Sequence, residues 1–279
     1  MNSTKQFGLL SYSLHQSVID RYLAGETAKQ LAEAFNVKSN NIYDILRKYK
    51  IPGRKRKYAV NESYFSEIDN RHKAYIFGYL IADGSNHKFK KSIVVELAQK
   101  DKHVLEYMRS QFFPNNDKPL YYSKPRIVSG SKSKSSGSYI LEIDSTKLSD
   151  DLVKLGCGHN KTYEYTPVTI PQNYFGDFLR GVFDGDGCAH VNKLNHITIS
   201  FVLNTNFANQ IQNELKERDI KSFIYKHHND GPASVLAISC SDTLKFYHLL
   251  YSNLSDQFCL ERKRLKISEY LRTKLNVEV

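Results

Sequence analysis

Beyond residue 60 the chain switches repeatedly between two hydrophobic periods. Phe175, Phe178, Leu179, Val182 and Phe183 recur at helical spacing, which predicts a helix with one apolar face. A second such helix is predicted from about Tyr75 to Gly84. Runs that suit strands follow each of them: Ser92–Gln99, Leu120–Val128 and Tyr139–Asp144 in the first half, and Cys188–Asn192, His196–Leu203, Ser222–His228 and Val235–Ser239 in the second. Helical patterns lie between and after the strands, at Lys102–Phe113, Thr146–Leu155, Phe207–Glu217 and Asp242–Tyr251. Each half therefore reads as helix, two strands, helix, two strands, helix, and an internal duplication is the economical explanation. The expected fold is α+β, with two pseudo-symmetric αββαββα halves at residues 58–168 and 169–279. In each half a four-stranded antiparallel sheet would carry helices on one face and leave the other open.

The first 57 residues have a different pattern, all of it helical after a lead of about a dozen residues. Val18, Ile19, Tyr22 and Leu23 form one apolar face that ends at Gly25. Thr27 is placed to cap a short helix bearing Ala28, Leu31, Ala32 and Phe35. Asn36-Val37 turns the chain, and Ser39 is placed to cap a third helix with Ile42, Ile45 and Leu46. The stretch looks like a helix-turn-helix, whose last helix enters the DNA major groove. On that reading Lys38, Asn40, Asn41, Tyr43, Arg47 and Lys48 reach bases and phosphates. Pro52-Gly53 ends the helix, and Arg54, Lys55, Arg56 and Lys57 follow as a basic linker. Such a run lies along phosphates or stands as a solvated charge run, and charge alone leaves both open.

Charge favours a polyanionic partner. The net charge is +11 over 279 residues, and residues 1–57 hold 11 Lys/Arg against 4 Asp/Glu. The remainder is nearly balanced, so a basic balance leaves DNA, RNA and an acidic membrane surface open. No apolar run approaches the roughly 20 residues of a membrane span. The N-terminus lacks the pattern of a secretory signal. The four cysteines are scattered without a Cys-x-x-Cys pair, and they read as reduced thiols and not as zinc ligands. An intracellular location is expected, in the cytoplasm with the nucleoid or, in a eukaryote, in an organelle or the nucleus.

Chemistry concentrates where the two apolar helices end. Gly78 and Gly181, Asp83 and Asp186, and Gly84 and Gly187 are paired at one offset of 103 residues. Glycines within apolar faces let two backbones approach closely. Packed so, the helices deliver two carboxylates to one point. A carboxylate is disfavoured at a helix C-terminus, so something positive is expected there, and a divalent cation is the natural candidate.

The nine-residue stretches IFGYLIADG (Ile76–Gly84) and LRGVFDGDG (Leu179–Gly187) resemble the paired signature motifs of LAGLIDADG homing endonucleases. The first departs from the pattern at Ile81, where the family has an acid. The resemblance covers about four-fifths of the chain by its element order. It implies a single-chain, site-specific double-strand DNA endonuclease that acts as a monomer on a long asymmetric site. It implies magnesium or another divalent cation at Asp83 and Asp186, with Gly84 and Gly187 beside them. It also implies a polar residue near the attacking water in each half, Gln99 and Asn204 (or Asn206, if the alignment slips by two), and a basic residue near the scissile phosphate, Lys161 and Lys263. Lys132 and Lys134, in the basic loop GSKSKSSG, would touch a groove. Two other readings share this fold: a non-cleaving DNA-binding regulator, and an RNA maturase that helps its intron fold. The C-terminal residues lack splice-junction chemistry, which suggests a free-standing or intron-encoded chain.

Overall fold

A computed structural model describes residues 12–53, 57–125, 136–161, 165–227, 231–252, 254 and 258–275. The expected contacts of Arg54, Lys55, Arg56, Lys132 and Lys134 lie outside the described residues, while Lys57 is described and exposed. The chain divides into two compact units, Met1–Lys57 and Tyr58–Val279.

The first unit contains α1 (Tyr12–Leu23), α2 (Ala28–Ala34) and α3 (Ser39–Lys48). Val18, Ile19, Tyr22, Leu31, Ile42 and Ile45 meet in its core. Thr27 caps α2 through a reciprocal capping box with Gln30, which satisfies two backbone donors that the helix start leaves open. Ser39 does not cap α3. Lys38 holds the cap position without a side-chain bond, and Ser39 is the first helical residue. The turn between α2 and α3 needs Asn36 at φ 50°, a left-handed conformation that asparagine adopts more readily than most residues.

The second unit contains two sheets. The first half runs α4 (Arg71–Asp83), β1 (Gly84–His87), β2 (Ser92–Ala98), α5 (Lys102–Phe112), β3 (Tyr121–Ser123), β4 (Ser138–Asp144) and α6 (Thr146–Lys154). The second runs α7 (Phe175–Asp186), β5 (Gly187–Val191), β6 (Ile197–Asn204), α8 (Thr205–Glu217), β7 (Ser222–Lys226), β8 (Ala233–Ile238) and α9 (Thr243–Tyr251). A last helix, α10 (Glu261–Leu275), had no counterpart in the pattern reading. Its inward positions, Ile267, Ser268 and Leu271, give too narrow an apolar stripe to stand out among its charges.

Both sheets are fully antiparallel, in the orders β1-β2-β4-β3 and β5-β6-β8-β7. Alternation along β2 buries Ile93, Val95 and Leu97 and turns Glu96 outward; β6 does the same with Ile199, Phe201 and Leu203 against an exposed Val202. The structure thus has two pseudo-symmetric halves of antiparallel sheet and helices, preceded by three helices. β3 is shorter than its sequence run, ending before Lys124-Pro125, because proline brings no N–H to a ladder.

The two halves join through α4 and α7. A Cβ added at Gly78 would lie 2.0 Å from the Phe178 carbonyl oxygen, and one at Gly181 would lie 2.0 Å from that of Tyr75. Nothing larger than hydrogen fits either position, so the two backbones touch. The contact runs to the helix ends, where a Cβ at Gly185 would lie 2.3 Å from Ala82 Cβ. Around it Phe77 packs on Phe178 with centroids 5.4 Å apart. Arg71 bonds Asp177 at 2.9 Å, and Asp177 also pairs with the buried Arg180 at 2.7 Å.

Candidate active site

Where α4 and α7 end together, each ends on an aspartate followed by a glycine that starts a strand. Glycine is required at both exits: a Cβ on Gly84 would meet the Leu80 carbonyl oxygen at 2.6 Å, and one on Gly187 would meet that of Phe183 at 2.5 Å. These packing demands account for Gly84 and Gly187 without reference to any ligand.

The positive charge that two negative helix ends call for is present in the chain itself. Lys161 Nζ donates to the carbonyls of Leu80 and Ala82, each at 2.7 Å. Lys263 Nζ donates to Phe183 and Asp184 at 2.7 Å and to Gly185 at 3.2 Å. Each ammonium therefore closes the last turn of one motif helix and opposes the dipole; Leu80 and Phe183 also accept from the N–H of Gly84 and Gly187, whereas Ala82 and Asp184 are among the last carbonyls that a helix leaves open. Burial pushes both lysines below their ordinary pKa, and nearby aspartates partly restore them.

Asp186 feels the charge of Asp83. Asp186 is pushed up to about 6, by burial first and then by the charge of Asp83, with both lysines pulling the other way. Asp83 is also raised by burial, against the pull of Lys161 and Lys263. Its side chain is open to solvent, so the burial here is that of a group in a concave, atom-dense rim. Among the described residues no cluster of three His, Cys, Asp or Glu side chains could hold a metal. Two carboxylates, with water, backbone carbonyls and phosphate oxygens to complete the sphere, suit magnesium, which keeps several waters. They lack the His and Cys ligands around which zinc sites are built.

Lys161, Asp186 and Asn204 line one cleft of about 260 Å³, together with Ile81 and Ala82. Gln99 is not among the residues that line this cleft. It stands exposed in a 3-10 turn, Gln99–Asp101, after β2 has ended. Strand register separates it from Asn204 as well. Gly84 faces Val95 and Gly187 faces Phe201, so the position equivalent to Asn204 is Ala98, and Gln99 corresponds to Thr205. Asn204 accepts a hydrogen bond from Asn206 N at 2.9 Å and so caps α8.

Three contributors to the site escaped the pattern reading. Asp184, the acid that Ile81 replaces in the first copy, is fully buried; its Oδ2 accepts from Tyr75 OH at 2.9 Å and from Leu260 N at 2.8 Å. It ties α7 to α4 and to the approach to α10. Arg262, beside Lys263, makes a two-pronged ion pair with Asp101 at 3.1 and 3.0 Å. Its adjacency to Lys263 was the only local signal. Asp101 adds to the negative field at Asp83.

In the first unit, Lys38, Asn40, Tyr43, Arg47 and Lys48 are exposed, whereas Asn41 is half-buried. Arg47 donates to Asp44 at 2.9 Å.

The LAGLIDADG-like domain family matches residues 176–251. No curated protein sequence matches the chain. Among solved structures, the homing endonuclease I-DmoI in complex with DNA and Mn shares 19% identity at a TM-score of 0.43, over 70% of this chain and 100% of its own. Meganuclease I-SmaMI bound to uncleavable DNA shares 13% at 0.47, over 74% and 90%. The N-terminal LAGLIDADG domain of DUF199/WhiA shares 18% at 0.42, over 68% and 89%. Overlaps of this size say nothing of what the chain does. The motif helix α7, its two hairpins and α9 form a LAGLIDADG-like domain, and the first half repeats its order of elements.

Proposed function

We propose that the protein is a site-specific double-strand DNA endonuclease that hydrolyses phosphodiester bonds with a divalent cation, working as a monomer on a long asymmetric site beside the nucleic acid of its cell or organelle. The observation that carries this reading is the pair of carboxylates, Asp83 and Asp186, at the ends of two helices in backbone contact, with the charge of Asp83 acting on Asp186. Asp83 and Asp186 would hold magnesium, which when bound activates water and stabilises the leaving oxygen. Lys161 and Lys263 hold the helix ends in register, and their ammonium charges favour a phosphate arriving at that point. Asn204, in the same cleft as Asp186 and Lys161, is placed to orient a water. Gln99, in the same short turn as Asp101, whose charge reaches Asp83, would do this for the other strand. The three N-terminal helices, with Lys38, Tyr43, Arg47 and Lys48 exposed on or beside α3, add a DNA-binding module.

The test is incubation of the purified chain with magnesium and a library of randomised duplexes. Discrete double-strand breaks at one extended site, lost on chelation, support the endonuclease. Tight binding without breaks turns the assignment to the regulator, a reading favoured by the fact that both lysines spend their protons on helix carbonyls. Preference for structured RNA over duplex turns it to a maturase.

A further inference from the structure

The registers allow the open faces of the two sheets to be compared residue by residue. With Val95 equivalent to Phe201, the pairings make Ile140 equivalent to Val235, Tyr121 to Tyr225, Glu96 to Val202 and Glu142 to Ala237. Side chains alternate along each strand, so these positions all face away from the helices. On the first sheet one cross-strand row reads Glu96, Ile140, Tyr121, and the next holds Val94 and Glu142. On the second the same rows read Val202, Val235, Tyr225 and then Ser200, Ala237, Phe223. The tyrosine at the edge and the aliphatic beside it are common to both. The difference is two carboxylates on one face where the other has two aliphatics.

Two carboxylates on a face that meets a polyanion are costly unless they gain a specific donor. Cytosine is the one base whose own major-groove edge carries a donor, the N4 amino group, and no acceptor; adenine sets N7 beside its amino group, and guanine and thymine offer acceptors. The apolar group of the major groove is the thymine methyl, and Val202, Phe223 and Tyr225 stand 42%, 57% and 51% exposed with no apolar cover. Exposed lysines ring both faces for phosphates: Lys88 and Lys90 at the β1–β2 turn, Lys193 at the β5–β6 turn, and Lys124 and Lys226 at the edge strands. Ser138 donates to Glu96 and holds that carboxylate in place.

We infer that the two sheets read half-sites of different composition: Glu96 and Glu142 select cytosines in one, and the exposed Val202 and Phe223 select thymines in the other. The inference rests on the duplex-DNA reading above. It makes the target asymmetric through side-chain chemistry on a symmetric scaffold.

The test is a binding selection on randomised duplex, with the full chain and no divalent cation. The wild type should enrich a site with fixed cytosines in one half and thymines in the other. Glu96→Gln and Glu142→Gln should each convert one fixed cytosine to adenine, because glutamine pairs with N6 and N7. The preference at that position should change by about ten- to a hundredfold, with the other half-site unchanged. Val202→Ser with Phe223→Ser should relax thymine only in the second half. If the glutamine variants bind every duplex more tightly with no change of base, the carboxylates are a charge barrier and the inference fails while the DNA reading stands. If the wild type enriches no sequence, both fail.

Discussion

Replacing Asp184 by asparagine separates the electrostatic cost of this residue from its hydrogen bonds. Both bonds, from Tyr75 OH and Leu260 N, go to Oδ2, while Oδ1 has no partner among the described residues. Asparagine keeps an acceptor where both donors point, and its amide nitrogen replaces an atom that already lacks a partner. What it removes is a buried charge. Burial holds the carboxyl at about 6, although both bonds and the charges of Lys263 and Arg180 pull it down. A carboxyl raised in the fold contributes stability that is full below its unfolded pKa and is lost as pH rises through the folded one. From the ordinary 3.8 to about 6 the loss amounts to about 3 kcal/mol, complete by pH 7. Asp186 and Asp83 shift in the same direction, so the informative quantity is the difference between wild type and variant. Asp184→Asn should gain about 2.5 kcal/mol on the wild type between pH 4 and pH 8, since pH 4 already lies just above the ordinary 3.8. Asp184→Ala, which leaves Tyr75 OH and Leu260 N without an acceptor, should be destabilised at both. The chain has no tryptophan, so urea unfolding followed by far-UV circular dichroism is the assay. A difference that stays constant from pH 4 to pH 8 would refute the reasoning.

Gly181→Ala should cost about 3 kcal/mol or more, because its Cβ meets a carbonyl oxygen of the partner helix; Gly231→Ala, with open space around it, should be neutral in the same urea assay. Lys263→Met leaves the Asp184 carbonyl without its ammonium donor, while Phe183 keeps the Gly187 N–H, for an expected loss of about 2 kcal/mol; the exposed Lys88→Met should change stability by less than about 0.5 kcal/mol. Asp83→Asn and Asp186→Asn should abolish cleavage or limit it to a nick while duplex binding persists, as read on supercoiled plasmid beside a gel-shift titration; unimpaired cutting by both would remove the carboxylates from the chemistry. Deleting residues 1–57 should weaken duplex binding and flatten its dependence on salt, and an unchanged slope would take DNA contact away from that unit.

The sequence by itself determined the local terms of this protein. The 3.6 and 2.0 periods depend only on which neighbouring residues are apolar, so the alternation of helices and strands was legible, as were the duplication and the glycines that let α4 meet α7. Asp83 and Asp186 were legible for the same reason, since each stands at a helix end marked by its own neighbours. Tertiary structure decided what those ends are bonded to. Lys161 and Lys263 reach carbonyls about 80 residues back along the chain, where only the path of the returning backbone selects the acceptor. Asp184 looks in sequence like one more acid of an acidic cluster, and becomes a buried tie because Tyr75 and Leu260 arrive from elsewhere. Gln99 and Asn204 look equivalent by position at a strand end, yet the register matches Asn204 with Ala98, the last residue of β2, and Gln99 stands one residue beyond. Periodicity is a property of neighbours along the chain, whereas charge compensation and register belong to neighbours in space, and these exist only after the two halves have packed.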